Sequence, residues 1–190
     1  MRSLANLLLM LVIALAVGFG LSYYALSDGR LVGAYQSGPW TTWVKAGSPA
    51  PDPYTRAFIT RNAALQLGQA EGLQLVATAD SDGQRLDRAC NYRIDGRTPT
   101  ATFWTLVPVG DDGSSVARPD GPPGYHSTRI SRANDGSMQL HIGKQLRPLN
   151  WLETAGDGPF SLILSLYDTV LFTGVGSNES ALPSIIREGC

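Results

Sequence analysis

Hydrophobic and polar positions fall into three regimes along this chain. From Leu4 to Leu26, LANLLLMLVIALAVGFGLSYYAL runs 23 residues without a charge. As a helix it would be about 35 Å long, against a hydrocarbon core of roughly 30 Å. Tyr23 and Tyr24 stand near its outer end, where amphipathic rings favour the membrane interface. The pattern then dissolves: residues 28–51, with SGPWTTWVKAGSPAP, are rich in Pro, Gly and small polar residues and read as a tether that packs Trp40 and Trp43. From Asp52 onward periodicity returns, so the expected organisation is an anchor over 1–27, a tether over 28–51 and a folded unit over 52–190.

Asp52-Pro53 opens that unit as a helix start, since Asp caps free N–H groups and Pro suits the first helical position. Tyr54, Ala57, Phe58, Ala64 and Leu65 share one broad face, which predicts a helix over about 53–66. After Gly68 the period becomes two, with Leu73, Leu75, Ala77 and Ala79 alternating with Gln74, Val76 and Thr78. Further strands are predicted at Gln84–Leu86, Ala89–Ile94, Thr100–Val109, Ser114–Ala117, His126–Ser131, Ser137–Ile142 and Phe160–Leu166. Turn signals separate them: Asp80-Ser81-Asp82-Gly83, Asp95-Gly96, Gly110-Asp111-Asp112-Gly113, Asp120-Gly121, Asn134-Asp135-Gly136 and Gly156-Asp157-Gly158. Short strands with turns roughly every ten residues predict a β-sandwich or barrel.

Charge and cysteine usage narrow the compartment. Arg2 is the only charged residue before Asp28, so residues 28–190 carry 14 basic and 16 acidic groups, net −2. That balance argues against nucleic acid as a partner. The apolar run favours an uncleaved span in the lipid bilayer through residues 4–26. The rival reading is a cleaved signal peptide, for which Ala25-Leu26-Ser27 offers small residues around a bulky one. A short leader ahead of a long domain places that domain outside the cytoplasm. Cys90 and Cys190 are the only cysteines. In an oxidising compartment they are expected to form one bridge, the alternative being two separate thiols.

Chemistry-bearing motifs are sparse. His126 and His141 are the only histidines and neither has a metal-ligand spacing. His141 falls on the outward register of its strand, while His126 follows RPDGPPGY at a sheet rim. Asp80-x-Asp82-Gly83 resembles a calcium-loop fragment, but position five is Gln84 and position twelve Asn91, so a hairpin turn is the better reading. Gly176-Ser177, and Ser127 beside His126, do not form a nucleophile elbow. Asn178-Glu179-Ser180 is a glycosylation acceptor of the kind chance supplies. No catalytic residue, cofactor or metal is assigned.

Several segments in order carry a family resemblance: Tyr54-x-Arg56-Ala57, Glu71 before the Leu73–Ala79 strand, and Asp80 through Asp87. Cys90-x-Tyr92-Arg93, Phe103-Trp104-Thr105-Leu106, Asn134-Asp135-Gly136-Ser137 and Asn150-Trp151-Leu152 follow, with Leu166-Tyr167-Asp168 and Leu182-Pro183-x-Ile185-x-Arg187-x-x-Cys190 at the end. Over about Asp52–Cys190 the chain resembles the domain of unknown function 1214 family. The resemblance implies a bacterial protein with a mainly β fold: a jelly-roll-like antiparallel β-sandwich with a short N-terminal helix, here preceded by one transmembrane helix. It also implies a companion domain, fused in longer members and separately encoded for short ones. It brings no catalytic mechanism. Pro108–Gly124 departs from the family pattern, which places in doubt any partner contact made through that arm. Arg56, Arg93 and Arg187 are expected to pair with Asp87, Asp168 or Glu71. The candidate ligand contacts are His126, Arg56, Arg93 and Trp151. The leading functional reading is a protein of the bacterial inner membrane whose periplasmic domain binds a partner or ligand. The alternatives are half of a two-chain, hydrolase-like enzyme and a structural envelope role.

Overall fold

The computed structural model describes residues 2–28, 33–43, 45–62, 67–68, 70–98, 100–169 and 182–190. Helix α1 (Arg2–Asp28) contains the apolar run, and Arg2–Leu26 is long and apolar enough to cross a membrane. Most of its side chains are exposed, Leu7, Ile13 and Phe19 among them, with none of the described residues covering these three.

The rest is mainly β. Strands β1 (Ala34–Ser37) and β2 (Trp40–Trp43) precede helix α2 (Pro53–Asn62). Then come β3 (Gly72–Ala77), β4 (Asn91–Gly96), β5 (Ala101–Val109), β6 (Tyr125–His126), β7 (Met138–Ile142), β8 (Asn150–Leu152), β9 (Ser161–Thr169) and β10 (Ser184–Gly189). They build a six-stranded sheet, β1-β2-β3-β9-β5-β6, and a four-stranded sheet, β10-β4-β7-β8. One hydrophobic cluster draws on both: Leu75, Trp104, Leu106, Leu162, Leu164 and Leu166 from the first, and Tyr92, Ile94, Leu140, Ile142, Leu152 and Ile185 from the second. The period-two alternation in β3, β7 and β9 is therefore the imprint of one face turned to this core.

Several expectations need correction. The stretch read as a tether contains β1 and β2. All four residues of Trp-Thr-Thr-Trp are buried, and Thr41 pairs with Val76 of β3. Trp40 donates its indole N–H to Pro183 O at 2.7 Å, and the Trp43 ring stacks on Phe58 of α2 at 4.4 Å. Two large rings buried from opposite faces hold the segment down despite its loop-like composition. Gln84–Leu86 and Ser114–Ala117 form single bridges rather than strands, and His126–Ser131 contributes only its first residue, within β6. Among the pairs, β7–β8 is parallel, so the sandwich is not wholly antiparallel. Ala64 and Leu65, Gly176-Ser177 and Asn178-Glu179-Ser180 lie outside the described residues.

Local chemistry explains two junctions. Asp52 Oδ1 accepts from Tyr54 N at 3.1 Å and Thr55 N at 3.0 Å, and its Oδ2 accepts from the Thr55 hydroxyl, which caps α2. Those bonds, the Thr55 hydroxyl first, hold the Asp52 carboxyl below the usual carboxylate range. The Asp80–Gly83 turn forms as the sequence predicts, with Gly83 at φ 80° where a Cβ would be strained. Cys90 and Cys190 are bridged, tying the chain's end to the start of β4 across 100 residues.

Candidate functional site

In the four-stranded sheet, the residues that alternate inward are Tyr92 and Ile94 in β4, Leu140 and Ile142 in β7, Asn150 and Leu152 in β8, and Ile185 in β10, all buried except for traces. Their neighbours must then face outward. The register pairs Ile186 with Arg93, Arg93 with His141, and His141 with Trp151. Four residues from four strands thus form one row across the outer face.

Glu188 sits at a register shift between Arg187 and Gly189, an extra residue in β10. Bulges at sheet edges re-aim side chains. Here Glu188 Oε1 lies 3.3 Å from Arg93 Nε, and Oε2 lies 3.2 Å from His141 Nδ1 and 3.9 Å from an Arg147 nitrogen. Arg93 also pairs with Asp95 at 3.2 Å. One carboxylate therefore meets three basic side chains, and the set is half-buried, with His141 only 16% exposed.

Two donors in this row are left over. Arg93 Nε is buried without an aligned hydrogen bond, its approach to Glu188 being an ion pair only, and Trp151 Nε1 is buried with no acceptor among the described residues. Leaving a buried donor without an aligned acceptor costs about 1–3 kcal/mol.

The β7–β8 connection borders the row. Gly143, at φ 150°, starts it because a Cβ there would collide with Asn91. Leu149 ends it at φ 67°, a conformation uncommon for a residue with a branched side chain. Leu146 and Leu149 are 76% and 82% exposed. Asn150 then pins the chain: its amide donates to Ser131 O and Gln139 O, and its Oδ1 accepts from Ser131 N. Asn150 thus satisfies three backbone groups from a short strand.

Of the sequence candidates, Arg93 and Trp151 come together here, bridged by His141. His126 lies on the six-stranded sheet, its Nδ1 2.9 Å from the Thr128 hydroxyl and its ring 5.9 Å from Phe103. Arg56 lies on α2, exposed. The expected carboxylate partners are replaced: Arg93 takes Asp95 and Glu188, and Arg187 takes Asp80 at 3.0 Å. Sequence reasoning missed Glu188 and Arg147, which lie 47 and 6 residues from His141 in sequence. Only recognition of β10 as the strand beside β4 would have signalled Glu188. Among the described residues, no three His, Cys, Asp or Glu side chains are grouped to hold a metal ion. What the arrangement offers chemically is a donor-rich polar patch beside two exposed leucines.

A family model described as "Protein of unknown function (DUF1214)" matches residues 71–170, which include β3 through β9. Among solved structures, the VPA0106 protein from Vibrio parahaemolyticus is similar at TM-score 0.54 and 19% identity, covering 70% of this chain and 35% of that one. A putative uncharacterized protein from Burkholderia cenocepacia aligns at TM-score 0.46 and 16% identity, covering 93% of this chain and 52% of that one. The chain thus spans about a third and about half of the length of these two proteins. No curated protein matches it in sequence.

Proposed function

Because this chain belongs to the DUF1214 family, whose description assigns no activity, its role must be read from its surfaces. We propose that it is a single-pass protein of a bacterial inner membrane whose β-sandwich stands in the periplasm and binds a partner protein. The proposed docking surface is the outer face of β10, β4, β7 and β8. The observation that carries this is the Ile186–Arg93–His141–Trp151 row, with the Glu188 charge cluster on it and with Leu146 and Leu149 exposed beside it. Exposed apolar side chains next to a partly exposed charge cluster fit a protein partner that supplies polar and charged groups opposite the cluster and apolar contact beside it. The bridge between Cys90 and Cys190 fits an oxidising compartment, and α1 fits an anchor. The partner proposed is a separately encoded companion domain.

The test is crosslinking in cells on the full chain, with a photoreactive amino acid at Leu149 and, as control, at exposed Gln36 on β1. A discrete adduct from position 149, absent from position 36, supports the reading; equal labelling from both positions contradicts it.

A second reading, half of a two-chain hydrolase, is favoured by one observation. His141 Nδ1 is 3.2 Å from Glu188 Oε2, and Arg93 and Arg147 flank the same carboxylate. A carboxylate-oriented imidazole is a general base, and two guanidiniums hold an anionic substrate. Turnover by the purified complex that His141→Ala abolishes without dissociating the chains would carry it.

A further inference from the structure

We propose that the outer face of α2 is a binding site for the headgroup of an anionic phospholipid, which holds the β-sandwich down on the membrane surface. This rests on the reading of α1 as a membrane span.

Pro53, Arg56, Ala57, Thr60 and Arg61 recur at helical spacing and, with Pro51, line an open groove of about 520 Å³. The opposite side of α2 is used for packing: Thr55 is buried and Phe58 lies on Trp43. The two faces therefore have separate tasks. Arg61 Cζ lies 5.4 Å from the centre of the Tyr23 ring. Tyr23 is at the outer end of the apolar run, the depth at which tyrosine marks the membrane–water interface. A guanidinium that touches this ring is at headgroup level. Arg56, five residues before Arg61 and lining the same groove, makes no ion pair among the described residues and is exposed.

Charge distribution singles out the membrane-proximal part of the chain. Residues 28–62 carry Arg30, Lys45, Arg56 and Arg61 against Asp28 and Asp52, net +2; residues 63–190 carry ten basic and fourteen acidic groups, net −4. The basic excess is confined to the segment next to the span, and an anionic bilayer surface attracts it while repelling the domain beyond. The groove has arginines for a phosphodiester and apolar walls of proline and alanine for the glycerol backbone. A basic side chain near an anionic surface contributes about fivefold in affinity, so the pair contributes roughly 25-fold.

The experiment uses the full chain reconstituted in phosphatidylcholine vesicles with trace spin-labelled phosphatidylglycerol or spin-labelled phosphatidylcholine. Relative association constants are read from the motionally restricted signal. Wild type should select phosphatidylglycerol at least tenfold, and the Arg56→Gln/Arg61→Gln chain should lose most of that preference. Excess inorganic phosphate should not abolish it, since a free anion lacks the lipid's apolar part. Equal association of both lipids with wild type, or unchanged selectivity in the double variant, overturns the proposal. An alkaline carbonate wash of the same vesicles separates the two readings. A chain that stays in the bilayer but shows no selectivity sinks the headgroup site alone; a chain that washes out sinks the span and the headgroup site together.

Discussion

Arg187 and Glu188 follow one another on β10, yet the two charges serve different purposes. Arg187 is built into the fold: its Nε donates to Asp80 Oδ2 at 3.0 Å, one terminal nitrogen donates to Arg85 O at 2.7 Å, and the guanidinium lies 5.4 Å from the Tyr92 ring centre. Asp80 is almost fully buried, and its other oxygen accepts from Asp82 N and Gln84 N. Together with Ser81, which exchanges bonds with Ile185, this latches the Asp80–Gly83 turn to the last strand. Glu188 instead meets three basic groups on a half-open face, beside a buried Trp151 Nε1 that has no acceptor among the described residues. Arg187 and Glu188 are themselves about equally exposed, at 23% and 22%, so it is the burial of the partner Asp80, at 2%, that separates the two cases. A buried pair is costly to break because the survivor is stranded, whereas an ion pair in contact with water contributes little to stability and is free to exchange partners.

Substitutions sharpen that contrast. The largest effect is common to both residues: replacing Cys90 and Cys190 with alanine frees the end of β10 and should lower unfolding free energy by about 4–5 kcal/mol, read by denaturant titration. Asp80→Ala should cost about 3 kcal/mol, because Arg187 loses its buried counter-charge. Glu188→Gln should cost no more than about 1 kcal/mol in the same titration, yet should reduce the crosslink from position 149. If Glu188→Gln proved as destabilising as Asp80→Ala, the contrast would collapse. Alkali probes the latch side. Burial pushes the Tyr92 hydroxyl above its ordinary value, while Asp87 N donates to it and opposes the rise. A raised folded pKa means that the neutral form is the one the fold favours. Its contribution is complete below the unfolded value of about 10 and is lost as pH rises through the folded one. Melting temperature should therefore fall in that alkaline window, and Tyr92→Phe should flatten the decline. The smallest effect is Leu149→Gly: relief of a positive φ at an exposed side chain should leave stability unchanged or raise it by a few tenths of a kcal/mol in the same titration.

Legibility in the sequence tracked how far each feature depends on distant residues. The apolar run that forms α1, the alternation in β3, β5, β7 and β9, the Asp80–Gly83 turn and the cysteine pairing were all readable, because local periodicity or counting carries them. Strand β2 was not, since Trp-Thr-Thr-Trp is buried on every side and shows no alternation. Strand β8 is three residues long and gains its place from Asn150 bonding to Ser131 and Gln139. Strand β10 holds two charges in six residues, and its partner β4 is about ninety residues earlier. Missing β10 hid Glu188, and with it the link among Arg93, His141 and Arg147. Arg93 and Trp151 were named as contacts without any sequence signal that one row holds both. Arg56 and His126 were named alongside them and lie elsewhere.

The claim that the fold-closing and partner-facing charges of β10 are separable is tested most directly by one paired measurement. Asp80→Ala and Glu188→Gln are each introduced into the full chain carrying the photoreactive residue at position 149. Unfolding free energy and adduct yield are then measured on the same preparations. The account predicts that Glu188→Gln removes most of the adduct with stability within about 1 kcal/mol of the parent. It also predicts that Asp80→Ala costs about 3 kcal/mol while the molecules still folded retain the adduct. Adduct yield that followed stability alone in both chains would contradict it.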